Sequence, residues 1–198
     1  MHALNDPLNV NALPFRKLII RSPLRRHLRF GALALVLVWL VFPTARAVTP
    51  APDGGYPGGN TAEGTNALFS RTTGTNNTAV GFQALFRLVN GNFNTAIGGG
   101  ALQENVSGGN NTAVGLNALF NNKASFNTAV GESALVANQT GTFNTAIGKG
   151  ALQANNTGLE NTATSSGALS SNTYCSHNTA NGYLALSTNS SGAFNGHR

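Results

Sequence analysis

The chain has 198 residues, 24 of them glycine and only 9% of them charged, a length that suits one domain. Its formal net charge of +6 sits in the first 47 residues, where Arg16, Lys17, Arg21, Arg25, Arg26, Arg29 and Arg46 face a single acid, Asp6. Five basic and five acidic residues follow, so the remainder is neutral; this argues against a nucleic-acid partner, and the lone Cys175 excludes an internal disulfide.

Residues 1–47 read as a signal peptide. The basic stretch ends at Arg29, and an apolar run of 13 residues, Phe30 to Phe42, follows. That run is shorter than the roughly 20 residues a membrane-spanning helix needs. Pro43 breaks it, and Ala45-Arg46-Ala47 places small residues as signal peptidase requires, so cutting is expected after Ala47. An uncleaved N-terminal anchor is the alternative. Residues 48–59 hold Pro50, Pro52, Gly54, Gly55, Pro57, Gly58 and Gly59 and read as a linker.

From Asn60 to Phe194 the chain repeats Asn-Thr-Ala-x-Gly-x-x-Ala-Leu eight times, starting at Asn60, Asn77, Asn94, Asn111, Asn127, Asn144, Asn161 and Asn178. The period is 17 residues, except for one step of 16 after Asn111, and a ninth copy starts at Asn195 and runs to residue 198. A fixed period of this size marks a stacked repeat whose units lean on their neighbours. Counting the Asn as column zero, Thr78-Ala79-Val80 is β-branched and small and predicts a short strand. The glycines of column four (Gly81, Gly98, Gly115, Gly131, Gly148) predict a bend, with Ser165 the exception. The segment ending in Ala84-Leu85 reads as a second strand or as one helical turn. A second glycine falls at column fourteen in most copies, in a stretch rich in Asn, Ser, Thr and Gly that predicts a turn.

The expected fold is therefore all-β: a β-solenoid of eight coils, with strands about 4.8 Å apart. Ordering 17 residues costs on the order of 25 kcal/mol, and each coil offers few large apolar side chains. The small Ala columns allow close approach of chains, so burial against partner copies, most simply a homotrimer, is expected.

The units Asn77–Leu85, Asn94–Leu102 and Asn144–Leu152 resemble repeats of bacterial surface and phage tail-fibre-type proteins, which are similar to the head repeats of trimeric autotransporter adhesins. The resemblance spans Asn60 to Phe194 and implies a trimeric, left-handed parallel β-roll that displays or binds at a cell surface. The chain departs from those families at its end: Asn195-Gly-His-Arg198 carries neither a membrane-anchoring barrel segment nor a chaperone domain.

No catalytic, cofactor or metal site is expected. The Asn column (Asn77, Asn94, Asn111, Asn127, Asn144) reads as stacked amides bonding one another and the turn backbone. Cys175 and His177 lack further ligands at metal spacing, and the spread acids give no paired carboxylates. Polar residues in column three at the ends (Glu63, Thr164, Asn181) suit capping coils. The functional expectation is a secreted or cell-surface structural or adhesive element. It would present the variable loops of columns nine to sixteen to a carbohydrate or protein ligand. A phage-derived fibre fragment, and an ice- or polysaccharide-binding module, are the alternatives.

Overall fold

The computed structural model describes residues 56–197. The proposed signal peptide, with Ala45 and Ala47, and most of the linker lie outside the described residues. Each repeat contributes one three-residue strand: β1 (Thr61–Glu63), β2 (Thr78–Val80), β3 (Thr95–Ile97), β4 (Thr112–Val114), β5 (Thr128–Val130), β6 (Thr145–Ile147), β7 (Thr162–Thr164) and β8 (Thr179–Asn181). The two-residue β9 (Gly196–His197) follows. They form one parallel sheet in chain order, and each Thr and each Ala of β1–β8 pairs with its equivalent in the next repeat. The chain is thus a β-solenoid. Its coils are numbered here 1 to 8 from Asn60, and eight steps of about 4.8 Å carry β1 to β9 over roughly 40 Å.

Alternation along the strand decides what is inside. The Ala of the strand is buried in every coil, while Thr and the column-three residue are half-buried or exposed. The second Ala and the following Leu are also buried, as in Ala84-Leu85 and Ala134-Leu135. The small Ala columns therefore serve the interior of each coil. They are not free for close approach between chains, and the argument for partner copies must rest on other surfaces.

Among the described residues there is no helix. The segment ending in Ala-Leu is instead a run of overlapping tight turns. In coil 2, Ala84 N–H donates to Gly81 O, Phe86 N–H to Gln83 O and Leu88 N–H to Leu85 O, at 3.2–3.3 Å. The intervening amides reach adjacent coils: Gln83 N–H donates to Thr65 O, and Leu85 N–H to Ala101 O, both at 3.0 Å. This alternation needs every second residue left-handed, the φ signature at the third residue of a type II turn. Column six meets it in five coils with Asn66, Gly100, Asn117, Gly150 and Gly167, residues that tolerate positive φ, and in the other three with Gln83, Ser133 and Leu184.

Column eight meets it with leucine in all eight coils, from Leu68 to Leu186, at φ between 50° and 52°. A left-handed Leu costs about 1–2 kcal/mol. Burying its side chain returns about 1.5–3 kcal/mol, which is enough to hold the conformation. Apolar burial and turn geometry thus compete at one residue, and burial wins from Leu68 to Leu169, while Leu186 in the last coil is partly buried.

Column four must be glycine for two reasons. Gly115 has φ +131°, and a Cβ there would lie 2.7 Å from the carbonyl carbon of Gly131 in the next coil. Ser165 breaks the rule at a visible cost: its φ falls to 96°, and the following link, Gly182 N–H to Thr164 O, is 3.0 Å against 2.6–2.8 Å at the equivalent links before it.

Candidate binding surface

The predicted Asn column is interior. Asn94 Nδ2 donates to Asn77 Oδ1 at 3.0 Å and to Gly108 O of its own coil at 2.9 Å, while its backbone N–H donates to the same Asn77 Oδ1 at 2.9 Å. Asn144 and Asn161 repeat the pattern. Each amide therefore ties its coil to the preceding one and closes its own coil across 14 residues. These asparagines are buried and fully engaged, so they offer nothing to a ligand.

A second amide file runs beside the first. Asn105, Asn122, Asn138, Asn155, Asn172 and Asn189 stand at column eleven, with Leu88 in the same place in coil 2. Asn138, Asn155 and Asn172 each donate Nδ2 to the preceding member's Oδ1 at 2.7–3.0 Å. The sequence reading passed over this file, although the fixed offset from the first Asn was visible.

Coil 4 (Asn111–Phe126) is the one with 16 residues, and both files lose a rung there. Asn127 Nδ2 keeps its own-coil bond to Gly141 O but reaches Ser125 O and Asn122 Oδ1 in place of Asn111 Oδ1, which keeps only the backbone N–H of Asn127. Asn122 donates to Ala124 O and makes no bond to Asn105.

What faces outward is a regular surface. The Thr file of β1–β8 lies beside the column-three file Val80, Ile97, Val114, Val130 and Ile147, in register and uncharged from β2 to β6. Glu63 before it and Thr164 and Asn181 after it make the ends polar. Immediately before the Asn in their coils' successors, Phe93, Phe126 and Phe143 are more than half or half exposed, and Phe126 stacks on Phe143 at 5.0 Å. A second aromatic group lies on columns five and nine of coils 1 to 4: Phe69 stacks on Phe86 at 5.4 Å, Phe82 and Leu116 are exposed, and Phe120 lies over Gly100. In coils 5 to 7 the column-five positions are Glu132, Lys149 and Ser166.

Columns nine to thirteen are wall, not projecting loops. Arg87 N–H donates to Gln103 O and Val89 N–H to Val106 O, linking coil to coil. Away from the short coil 4, what varies between coils is chiefly the side chain presented.

Ionisable groups are sparse. Arg87 pairs with Glu104 at 2.8 Å, Lys149 with Glu132 at 3.0 Å and His177 with Glu160 at 3.2 Å, all at the surface between adjacent coils. Cys175 is buried, and its carbonyl accepts from Asn161 and Asn172. Among the described residues no three His, Cys, Asp or Glu side chains gather as a metal site. The hydroxyl of Tyr56, which packs against the core beside coil 1, is buried, and that burial with Glu63 nearby raises its pKa above the usual tyrosine value. No protein-family model matches the chain, and no curated protein or solved structure matches it.

Proposed function

We propose that the chain is an exported structural and adhesive element of a cell surface. It associates as a homotrimer and offers repeated side chains to an extracellular carbohydrate or protein ligand. The observation that carries this reading is the outward surface itself. A buried interior made of Ala, Leu and bonded Asn leaves Val, Ile and Phe side chains exposed at rung spacing along the stack. Contiguous exposed apolar side chains of this kind mark interaction surfaces. Equivalent groups repeated at fixed spacing favour multivalent binding that is weak per rung. The leader sequence supports export, and the resemblance of the repeats supports a surface role.

Light scattering of residues 48–198 tests the assembly: the expected mass is three times that of the chain, and a folded monomer would refute it. Retention of the same protein on immobilised cells or glycans, lost on Phe82→Ser together with Phe126→Ser, tests the adhesion. Unchanged retention by that variant would rule out the apolar surface as the contact.

A further inference from the structure

The short coil 4 leaves a gap in the wall of the solenoid that the surface reading does not use. In coil 2 the N–H groups of Val89 and Asn90 donate to Val106 O, and in coil 5 those of Gln139 and Thr140 donate to Asn156 O. At the equivalent place in coil 3, the N–H groups of Val106 and Ser107 have no protein partner and face the coil that is one residue short; those of Thr173 and Tyr174 in coil 7 are also without one, but coils 7 and 8 carry no Lys or Arg. Val106 and Ser107 are both exposed. The amide rung from Asn105 to Asn122 is missing beside them.

The chain at this gap reads Lys123-Ala124-Ser125. Lys123 is exposed, its carbonyl accepts no hydrogen bond, and the N–H of Ala124 donates none. The other three basic residues between 56 and 197 are followed by amides that are held. Thr72 N–H donates to Val89 O, Leu88 N–H to Leu85 O and Gly150 N–H to Glu132 O. Lys149 O also accepts from Gly167 N–H at 2.9 Å. Arg87 and Lys149 are further held by their ion pairs, and Arg71 Nη1 by Gly74 O.

A protease must draw several residues out of the fold into an extended strand, so cleavage follows the segments that open most readily. We propose that the Lys123–Ala124 peptide bond is a built-in processing site for a protease of trypsin-like specificity, the first place at which the folded stack is cut. Hydrolysis there breaks the Lys123 C–Ala124 N bond. Water supplies the hydroxyl to the Lys123 carboxyl and a hydrogen to the new Ala124 amine. The products divide the stack within coil 4. The inference rests on the gap and the exposed lysine, and it holds whether or not the surface role is correct.

Limited digestion of the full chain by trypsin, followed by mass spectrometry, tests it. Cuts at the basic residues before 48 are scored separately. Within 56–197 the first new N-terminus is expected at Ala124, and Lys123→Gln removes it. Inserting one Gly between Lys123 and Ala124 restores 17 residues, and with them the missing acceptor, and is expected to slow the cut about tenfold. First cleavage after Arg71, Arg87 or Lys149, or none within the stack, overturns the proposal. Hydrogen exchange on the unaltered chain keeps the test independent of the insertion. Val106, Ser107 and Ala124 amides should exchange faster than those of Val89, Gln139 and Thr140, and equal protection overturns the proposal as well.

Discussion

Replacing Gly115 by Ala is the sharpest test of the stacking. The added Cβ would sit 2.7 Å from both the carbonyl carbon and the oxygen of Gly131 and 3.1 Å from the nitrogen of Glu132. These are backbone atoms of the next coil, so no side chain can rotate away. The φ of +131° adds conformational strain of about 1–3 kcal/mol, and forcing a methyl into a packed contact adds about 1–3 kcal/mol more. Ser165 shows how the chain absorbs part of this, by lowering φ and lengthening a link in the next coil. A net loss of about 3 kcal/mol is expected, which lowers the melting temperature by roughly 6–12 °C for a stack of this size. Circular dichroism melting of Gly115→Ala beside Gly99→Ala checks it. Gly99 is the control: its φ is not left-handed, and an added Cβ meets Leu116 Cδ1 at 3.4 Å, an ordinary contact. Melting temperatures of the two variants within about 2 °C of each other would refute the close-approach reasoning.

The amide files predict a contrast between columns. Asn144→Ala removes one of the two side-chain donors to Gly158 O and the acceptor of the Asn161 N–H, all buried, and should cost at least about 2 kcal/mol in urea unfolding. Asn155→Leu should cost less than Asn144→Leu, because Leu88 already occupies column eleven in coil 2 and is fully buried there. The surface ion pairs should matter little: raising salt to about 1 M should move the melting temperature by no more than about 2 °C, since exposed pairs contribute about 0–1 kcal/mol each.

The parts of the fold legible in the sequence are those where local preference and global need agree. Thr-Ala-Val and Thr-Ala-Ile favour a strand and form one; Gly81 and Gly115 favour a bend and provide it. The Asn column was read as structural, and its bonds are the predicted ones, side chain to side chain and to the turn backbone. What was not legible is where the two disagree. Nothing about Leu85 or Phe143 suggests a left-handed backbone, because their intrinsic preference opposes it; the requirement comes from the turns on either side. The Ala columns invited a reading of contact between chains, since small side chains permit close approach anywhere; the burial of Ala79 and Ala84 within one coil resolved it. The varied stretch from column nine onward looks like loop by composition, but outside the gap between coils 3 and 4 much of its backbone is bonded from coil to coil. The exposed Phe69 and Phe82 stand in the columns, yet sequence alone does not tell an outward aromatic from a core one.

The amide files also give the solenoid an electrical direction. Backbone links between coils alternate, Gly81 N–H donating toward coil 1 and Thr61 N–H toward coil 2, so their dipoles largely cancel. The side-chain amides do not alternate: from Asn77 to Asn195, wherever one asparagine bonds the next, its NH2 group points to the lower-numbered coil and its oxygen to the higher. Like the peptide units of a helix, they add head to tail. Copies laid side by side and pointing the same way must overcome a mutual repulsion that copies laid end to end do not meet.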